Sequence, residues 1–307
     1  MLYFDSIGII NYVYIGIYIM IEELFEKLNG ALAKNTIRSY RHDYYHFANW
    51  CEKREIDVLE HEPNQLIDYI EELAVNKTTA TVVRRLASIS SIFKFLMQPD
   101  PVKHPDVYLT IKKIKRQKGT AQTQAEPLTK ELIQKMLPHC GKGITGLRNT
   151  VLLHLGNETM RRRSELCQFK FDDLRIMPGN RYGIQLRFSK TDQTGKGKTL
   201  PITESLYELL MKWQKHVGDG YILRGLTRGN TVKKSLNPSS INVILKDIQY
   251  FSRIKTDNPL SGHSFRVGGA LDLLMQGMSM EKIMLRGGWD SESSVIRYLR
   301  AWDLMDI

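Results

Sequence analysis

Cysteine is scarce in this chain and forms no pattern. Cys51, Cys140 and Cys167 are scattered and odd in number, with no Cys-x-x-Cys pair. That argues against a disulfide framework or a cysteine zinc site, fits a reducing compartment and gives the cytoplasm as the expected location. Cys167, directly after Leu166, reads as a small buried hydrophobe. No glycine-rich phosphate loop, EF-hand or metal-ligand cluster occurs, so neither a metal nor a nucleotide cofactor is expected. Internal repeats and low-complexity tracts are absent too. Acidic charge is in deficit, with 33 Asp+Glu against 44 Lys+Arg and a net charge of +11. This surplus favours a polyanionic partner, nucleic acid first, although many basic proteins bind nothing anionic.

The chain has one nearly continuous apolar run, residues 7–21, interrupted by Asn11, Gly8 and Gly16. It is shorter than a membrane span usually needs. It lacks the basic start and small-residue cleavage site of a signal peptide. Three readings stand: a membrane-associated tail, a packed extra helix or strand, or a start assigned too early with Met20 as the true one. The last is preferred, so residues 1–20 are set apart as an N-terminal extension, and no membrane partner is expected.

With 307 residues, 42% hydrophobic and 25% charged, the rest reads as a soluble globular protein of two domains. Residues 21–116 carry helical periodicity. Leu24, Leu28 and Leu32 share a face, and Asn35-Thr36 can cap a helix running through Trp50, with Tyr40, Tyr44, Phe47 and Ala48 at helical spacing. Pro63 opens a third helix and Thr78-Thr79 a fourth, which Pro99 and Pro101 stop. A short fifth contains Val107, Ile111 and Ile114. Residues 117–126 are polar and read as a linker. Residues 127–307 are mixed: helices near 128–136, 147–156, 205–216 and 238–253 and from Arg266 on, with a hairpin of strands 184–188 and 198–202. The expected fold class is mainly α, an all-helical bundle followed by an α+β domain with a small sheet.

The chemistry is concentrated late. Ser261-Gly262-His263-Ser264-Phe265-Arg266, Gly287-Gly288-Trp289 and Tyr298 follow one another, with Arg162-Arg163-Ser164-Glu165-Leu166 and Ser189-Lys190-Thr191 upstream. Two arginines, a lysine, a histidine, an indole N–H and a tyrosine are the groups needed to cut a phosphodiester without metal. The tyrosine attacks, cations hold the phosphorane charge and an acid protonates the leaving oxygen.

In order, spacing and flanking residues these motifs, with the turn Gly277-Met278-Ser279, resemble the catalytic end of the tyrosine recombinase (phage integrase) family, and within it the Cre-like branch. The resemblance covers roughly residues 35–300. It implies a site-specific DNA recombinase that cleaves and rejoins duplex DNA through a 3′-phosphotyrosyl link and a Holliday junction. Tyr298 would be the nucleophile. Arg162 and Arg266 would hold the non-bridging oxygens, Lys190 would be the general acid and His263 would accept the tyrosine proton or bridge the phosphate. Trp289, where many members carry a second histidine, would only donate through its N–H. Glu165 would orient Arg162 or His263. Lys196 and Lys198 are alternatives to Lys190, and Arg161 and Arg163 are read as surface or phosphate-backbone residues. The family usually has Thr-Gly-Leu before the first arginine, whereas this chain has Thr159-Met160-Arg161.

The same resemblance places two helical starts of the bundle on DNA, one with Thr36, Arg38, Ser39 and His42, the other with Thr81, Arg84 and Arg85. Ser239, Ser240 and Asn242 would enter a major groove, with Asn242 reading an adenine edge. It implies a clamp around DNA, inverted-repeat target sites, a dimer on each site and a homotetramer on two, in a nucleoid-associated protein. Only residues 299–307 follow Tyr298, so the family's docking of a longer tail into a neighbour is in question. Two rivals stand: a type IB topoisomerase-like relaxase, against which the two-domain layout argues, and a regulatory or architectural DNA binder that has lost strand exchange, against which the full residue set argues.

Overall fold

Prolines and polar caps mark where three of the five described helices in the first part of the chain begin. The five are α1 (Ser6–Leu28), α2 (Lys34–Glu52), α3 (Pro63–Asn76), α4 (Thr79–Phe95) and α5 (Pro105–Lys118). By contrast, α2 starts at Lys34 after Ala33, which offers no side-chain cap, one residue ahead of the cap expected at Asn35-Thr36. Pro63 and Pro105 stand at first helical positions, where a missing N–H costs nothing. The Thr78 hydroxyl accepts from Thr81 N at 3.3 Å, and Glu62 N donates to the Gln65 side chain at 2.8 Å. The computed structural model describes residues 6–121, 123–188 and 197–299, and for 6–15, 298 and 299 the backbone alone. The chain divides into two units, Met1–Gln122 and Thr123–Ile307.

Unit one is helical around an aromatic-rich core that includes Phe25, Tyr44, Phe47, Tyr69, Ile89 and Phe93. Helix α1 runs unbroken through Met20, and Ile17 and Met20 pack partly buried on this core. The expected division at residue 20 therefore falls inside a helix. Helix α5 likewise continues to Lys118, whose ammonium reaches the carbonyls of Ala74 and Lys77, so the start expected for the linker is still helical. Among the described residues no helix is long and apolar enough to cross a membrane.

Unit two holds α6 (Lys130–Met136), α7 (Gly143–Thr159), α8 (Arg163–Leu166), the strands β1 (Leu174–Met177), β2 (Arg181–Leu186) and β3 (Lys198–Ile202), then α9 (Glu204–Val217), α10 (Ser240–Phe251), α11 (Ser264–Met275), α12 (Met280–Gly287) and α13 (Glu292–Leu299). The strands form one antiparallel sheet in the order β1-β2-β3, with Ile184 opposite Leu174 and Leu200. Ile184, Leu186, Leu200 and Ile202 face the core. The mainly helical architecture with one small sheet is the one the sequence indicates. Two details differ. β1 was not expected, because four residues without an alternating apolar face leave only the Pro178-Gly179-Asn180 turn as a signal. β2 starts at Arg181 because that turn pairs Met177 with Arg181, and Phe188, expected in the strand, is exposed.

Two close approaches bring the site elements together. A Cβ at Gly156 of α7 would lie 2.6 Å from the Phe265 ring, and one at Gly268 of α11 would lie 2.1 Å from the Leu128 carbonyl. A small separate cluster, Met160, Ala270, Leu273, Ile283, Trp289 and Val295, packs α13 and α12 onto α11. Gly268→Ala should therefore overpack this junction and lower stability by about 1–3 kcal/mol in urea denaturation. An unchanged midpoint would show that the α11 approach is loose.

Candidate active site

Helix α7 ends because Met160 adopts a left-handed conformation, φ +53. That turn reverses the chain and sends Arg161 and Arg162 in different directions. Arg162 stands before the first turn of α8. Its Nη1 donates to Glu165 Oε1 at 2.9 Å, and its backbone N donates to Oε2 at 3.2 Å. Glu165 is buried at 3% exposure while the Arg162 side chain keeps 29%, so a buried carboxylate braces a half-open guanidinium.

Arg161 is a correction to the surface role expected of it. It is 2% exposed. Its Nε donates to the Thr159 carbonyl at 2.7 Å and its Nη2 to the Arg286 carbonyl. The αL turn at Met160 directs it inward, where backbone carbonyls replace water. Burial lowers its pKa to about 10, so it stays charged at neutral pH. Arg163 is exposed as expected, its stem crossing Gly262 where a Cβ would lie 2.1 Å away.

His263 and Arg266 come from the start of α11. Arg266, 1% exposed, donates from Nη1 to the Met160 carbonyl at 2.7 Å and to the Gly287 carbonyl at 2.9 Å. Burial first, then Arg266, Arg162 and Arg163, lower the His263 pKa to about 4. Its ring is therefore neutral at pH 7, and a weaker base than a free imidazole. Trp289 lies over the Arg266 guanidinium, 4.4 Å from Cζ to the ring centroid. The Gly-Gly-Trp motif has a mechanical reason. A Cβ at Gly287 would sit 1.7 Å from the indole, and Gly288 takes φ +66 to turn the chain back. Val295, fully buried, seats α13, the helix that carries Tyr298. The Tyr298 side chain and all of Lys190 lie outside the described residues.

Arg162, His263, Arg266 and Trp289 are thus brought to one place by α7, α11 and α12, with Glu165 behind. A half-open cation beside a neutral imidazole suits an oxyanion and a proton acceptor. A separate cavity of about 250 Å³ lies among α6, α7 and α11. Two of its carboxylates are already engaged, Glu158 by the Thr203 N–H and hydroxyl and Asp272 by the Lys130 N–H.

The expected DNA contacts fare unevenly. Arg38 and His42 of α2 and Arg84 of α4 are exposed, and Thr36, Ser39 and Thr81 are half-buried. Arg85 is not presented to a ligand: it is 6% exposed, its Nε 3.8 Å from Asp43. Asp43, fully buried, also accepts from Arg84 and from Ser88 at 2.8 Å. It was missed in the sequence, although it shares the buried side of α2 with Tyr44 and Phe47. Ser239 is exposed and Ser240 half-buried at the start of α10. Asn242 is half-buried, and its side-chain oxygen accepts from Gly262 N at 2.9 Å, so that atom braces the His263 loop.

A chain of one helical unit and one α+β unit, the latter gathering arginines, a histidine and an indole, belongs to a definable class. The profile described as the Phage integrase family matches residues 126–304, and that described as Phage integrase, N-terminal SAM-like domain matches 21–99. The chain belongs to the phage integrase family and is a tyrosine recombinase, an enzyme of site-specific DNA recombination that breaks and rejoins DNA. It is 29% identical over 287 residues to the integrase/recombinase xerD homolog of Selenomonas ruminantium, covering 89% of this chain and 83% of that one. It is 22% identical to recombinase cre of Escherichia phage P1, covering 84% and 81%. Among solved structures it is similar to XerH site-specific recombinase bound to palindromic difH substrate in a post-cleavage complex, with a TM-score of 0.68, 17% identity and coverage of 92% and 80%. It is also similar to a lambda integrase tetramer bound to a Holliday junction, with a TM-score of 0.65, 15% identity and coverage of 94% and 80%.

Two outcomes follow. Asp43→Asn strips the buried Arg85 of its counter-charge and should cost about 3–5 kcal/mol in chemical denaturation. A loss below ~1 kcal/mol would mean that water reaches this cluster. Because the folded-state pKa of His263 lies below its ordinary value of 6.5, the unfolded chain binds its proton first. The stability His263 allows at neutral pH should be lost as pH falls from 6.5 toward 4. His263→Gln should flatten that part of a stability–pH curve, and a curve identical to wild type would put His263 in open solvent.

Proposed function

We propose that this recombinase binds duplex DNA at inverted-repeat sites and cuts one strand per active site through Tyr298. The observation that carries the reading is the convergence of Arg162, His263, Arg266 and Trp289 within one unit, at the ends of the elements that lead to Tyr298. The Tyr298 oxygen attacks the scissile phosphorus while His263 takes the phenolic proton. The bond to the 5′-oxygen breaks and Lys190 protonates that oxygen, leaving a 3′-phosphotyrosyl ester and a free 5′-hydroxyl. Arg162 and Arg266 hold the non-bridging oxygens, and the Trp289 N–H adds a donor without a proton to exchange. Glu165 keeps Arg162 aimed.

Rejoining runs the same steps backward, with the 5′-hydroxyl of a second duplex as nucleophile. The number of phosphodiester bonds is unchanged, so no outside energy source is required. Two such exchanges pass through a Holliday junction and call for four protomers on two sites. The Holliday-junction tetramer among the similar structures supports that stoichiometry. Arg38, His42 and Arg84 would contact the phosphate backbone from unit one, and Ser239 and Ser240 the groove from unit two.

The test is covalent capture. Purified protein is mixed with fragmented DNA of its source replicon and quenched with denaturant, and the protein-linked fragments are sequenced beside a Tyr298→Phe control. Adducts that share an inverted repeat and vanish in the control are expected. Adducts that persist in the control would remove Tyr298 from its role. Ordinary DNA binding with no adduct would favour a binder without strand exchange.

A further inference from the structure

The last carbonyls of α12 carry three cations, one to each. Lys198 Nζ donates to the Leu285 carbonyl, Arg161 Nη2 to that of Arg286, and Arg266 Nη1 to that of Gly287 at 2.9 Å. The end of a helix leaves these groups without intrahelical partners and carries the negative end of the dipole, so cations are favoured there. The three donors come from separate stretches: the start of β3, the turn after α7 and the first turn of α11. Both arginines are buried and donate to backbone; Arg266 is assigned to the phosphate grip above, whereas Arg161 has no part in it and donates to the Thr159 and Arg286 carbonyls.

What lies just beyond the clamp is the part that matters to the site. Gly288 follows the third carbonyl, and a Cβ there would meet Arg161 Nη1 at 2.6 Å. Trp289 comes next, folded back over Gly287 and onto Arg266. Arg161 therefore lies under the turn that aims the indole. Lys198, for its part, ties α12 to the first residue of β3, at one end of the connection in which Lys190 falls.

We propose that Arg161 and Lys198 are positioning residues for strand cleavage: they grip the end of α12, and with it the Gly288 turn, so that Trp289 and Arg266 keep their mutual placement. Neither touches the phosphate. The inference rests on the reading of this site as the one that cuts DNA.

The test uses the full chain labelled with 5-fluorotryptophan. There are four tryptophans, and the Trp289 fluorine resonance is identified by its loss in Trp289→Phe. Arg161→Leu and Lys198→Met should move or broaden that resonance and leave those of Trp50 and Trp213 in place. With target-site DNA, adducts should form about tenfold to a hundredfold more slowly, the range expected when a reactive group is displaced by about an ångström. The slope of DNA affinity against salt should not change, and Arg161→Lys, which keeps a donor, should recover part of the rate. An unmoved Trp289 resonance would overturn the proposal. So would a salt slope reduced by about one for each variant, the mark of a lost phosphate contact. Should Arg161→Leu fail to fold, Lys198→Met at its exposed strand end reads the same quantities. Absence of adducts with the wild-type protein would count against the cleavage reading instead, and the resonance would still decide the clamp.

Discussion

Cations gathered in one place repel one another, as they would around the phosphate of the proposed function, and several contacts of the second unit hold them together. Arg162 has a buried carboxylate, Glu165. Arg161, Arg266 and Lys198 instead rest on backbone carbonyls at the end of α12. Carbonyl dipoles satisfy guanidinium and ammonium donors without cancelling the full charge, so the local field stays positive. The His263 pKa is lowered first by burial and then by Arg266, Arg162 and Arg163, whose charges act in the same direction. An indole stacked on Arg266 fits the same constraint, because a neutral donor adds nothing to the repulsion.

The first unit solves the opposite problem. Its core is crossed by a buried charge, Asp43, which meets Arg84, Arg85 and Ser88 from one helix. Here the charges are balanced inside, and what reaches the surface is the exposed side of Arg84, beside His42 on α2. One surface cation is thereby held in place by a carboxylate that never reaches solvent. Arg161, Arg266 and Lys198 rest on carbonyls, whereas Arg84 in the first unit and Arg162 in the second are each held by a buried carboxylate.

Much of this was legible in the chain. Prolines, capping residues and apolar periodicity mark most helix starts, because those signals are local: a missing N–H, a side-chain oxygen, a 3.6-residue repeat. The late motif points to the chemistry through its set of groups, and its order and spacing carry the resemblance to the family. What could not be read depends on contacts between distant positions. β1 has too little pattern of its own and exists through pairing with β2. Asn242 has the composition of a base reader, yet its oxygen meets the Gly262 N–H. Arg85 looks like a surface cation until Asp43 lies beside it. The glycines of Gly287-Gly288-Trp289 stand out in sequence, but their reason, an indole lying on one and a guanidinium under the other, is a matter of packing.

The run Arg161-Arg162-Arg163 divides the two kinds of information most sharply. The sequence by itself determined that three cations follow α7, that a carboxylate stands three residues after the second, and that a histidine, an arginine, an indole and a tyrosine come later in family order. It had no means of telling which arginine turns inward. Met160 adopts a left-handed turn, and that turn sends successive side chains in different directions. The carbonyl that receives Arg161 lies 125 positions away, at the end of α12. The direction of a long, charged side chain is set by the backbone turn beneath it and by the dipoles it meets, and only the tertiary structure brings those dipoles within reach.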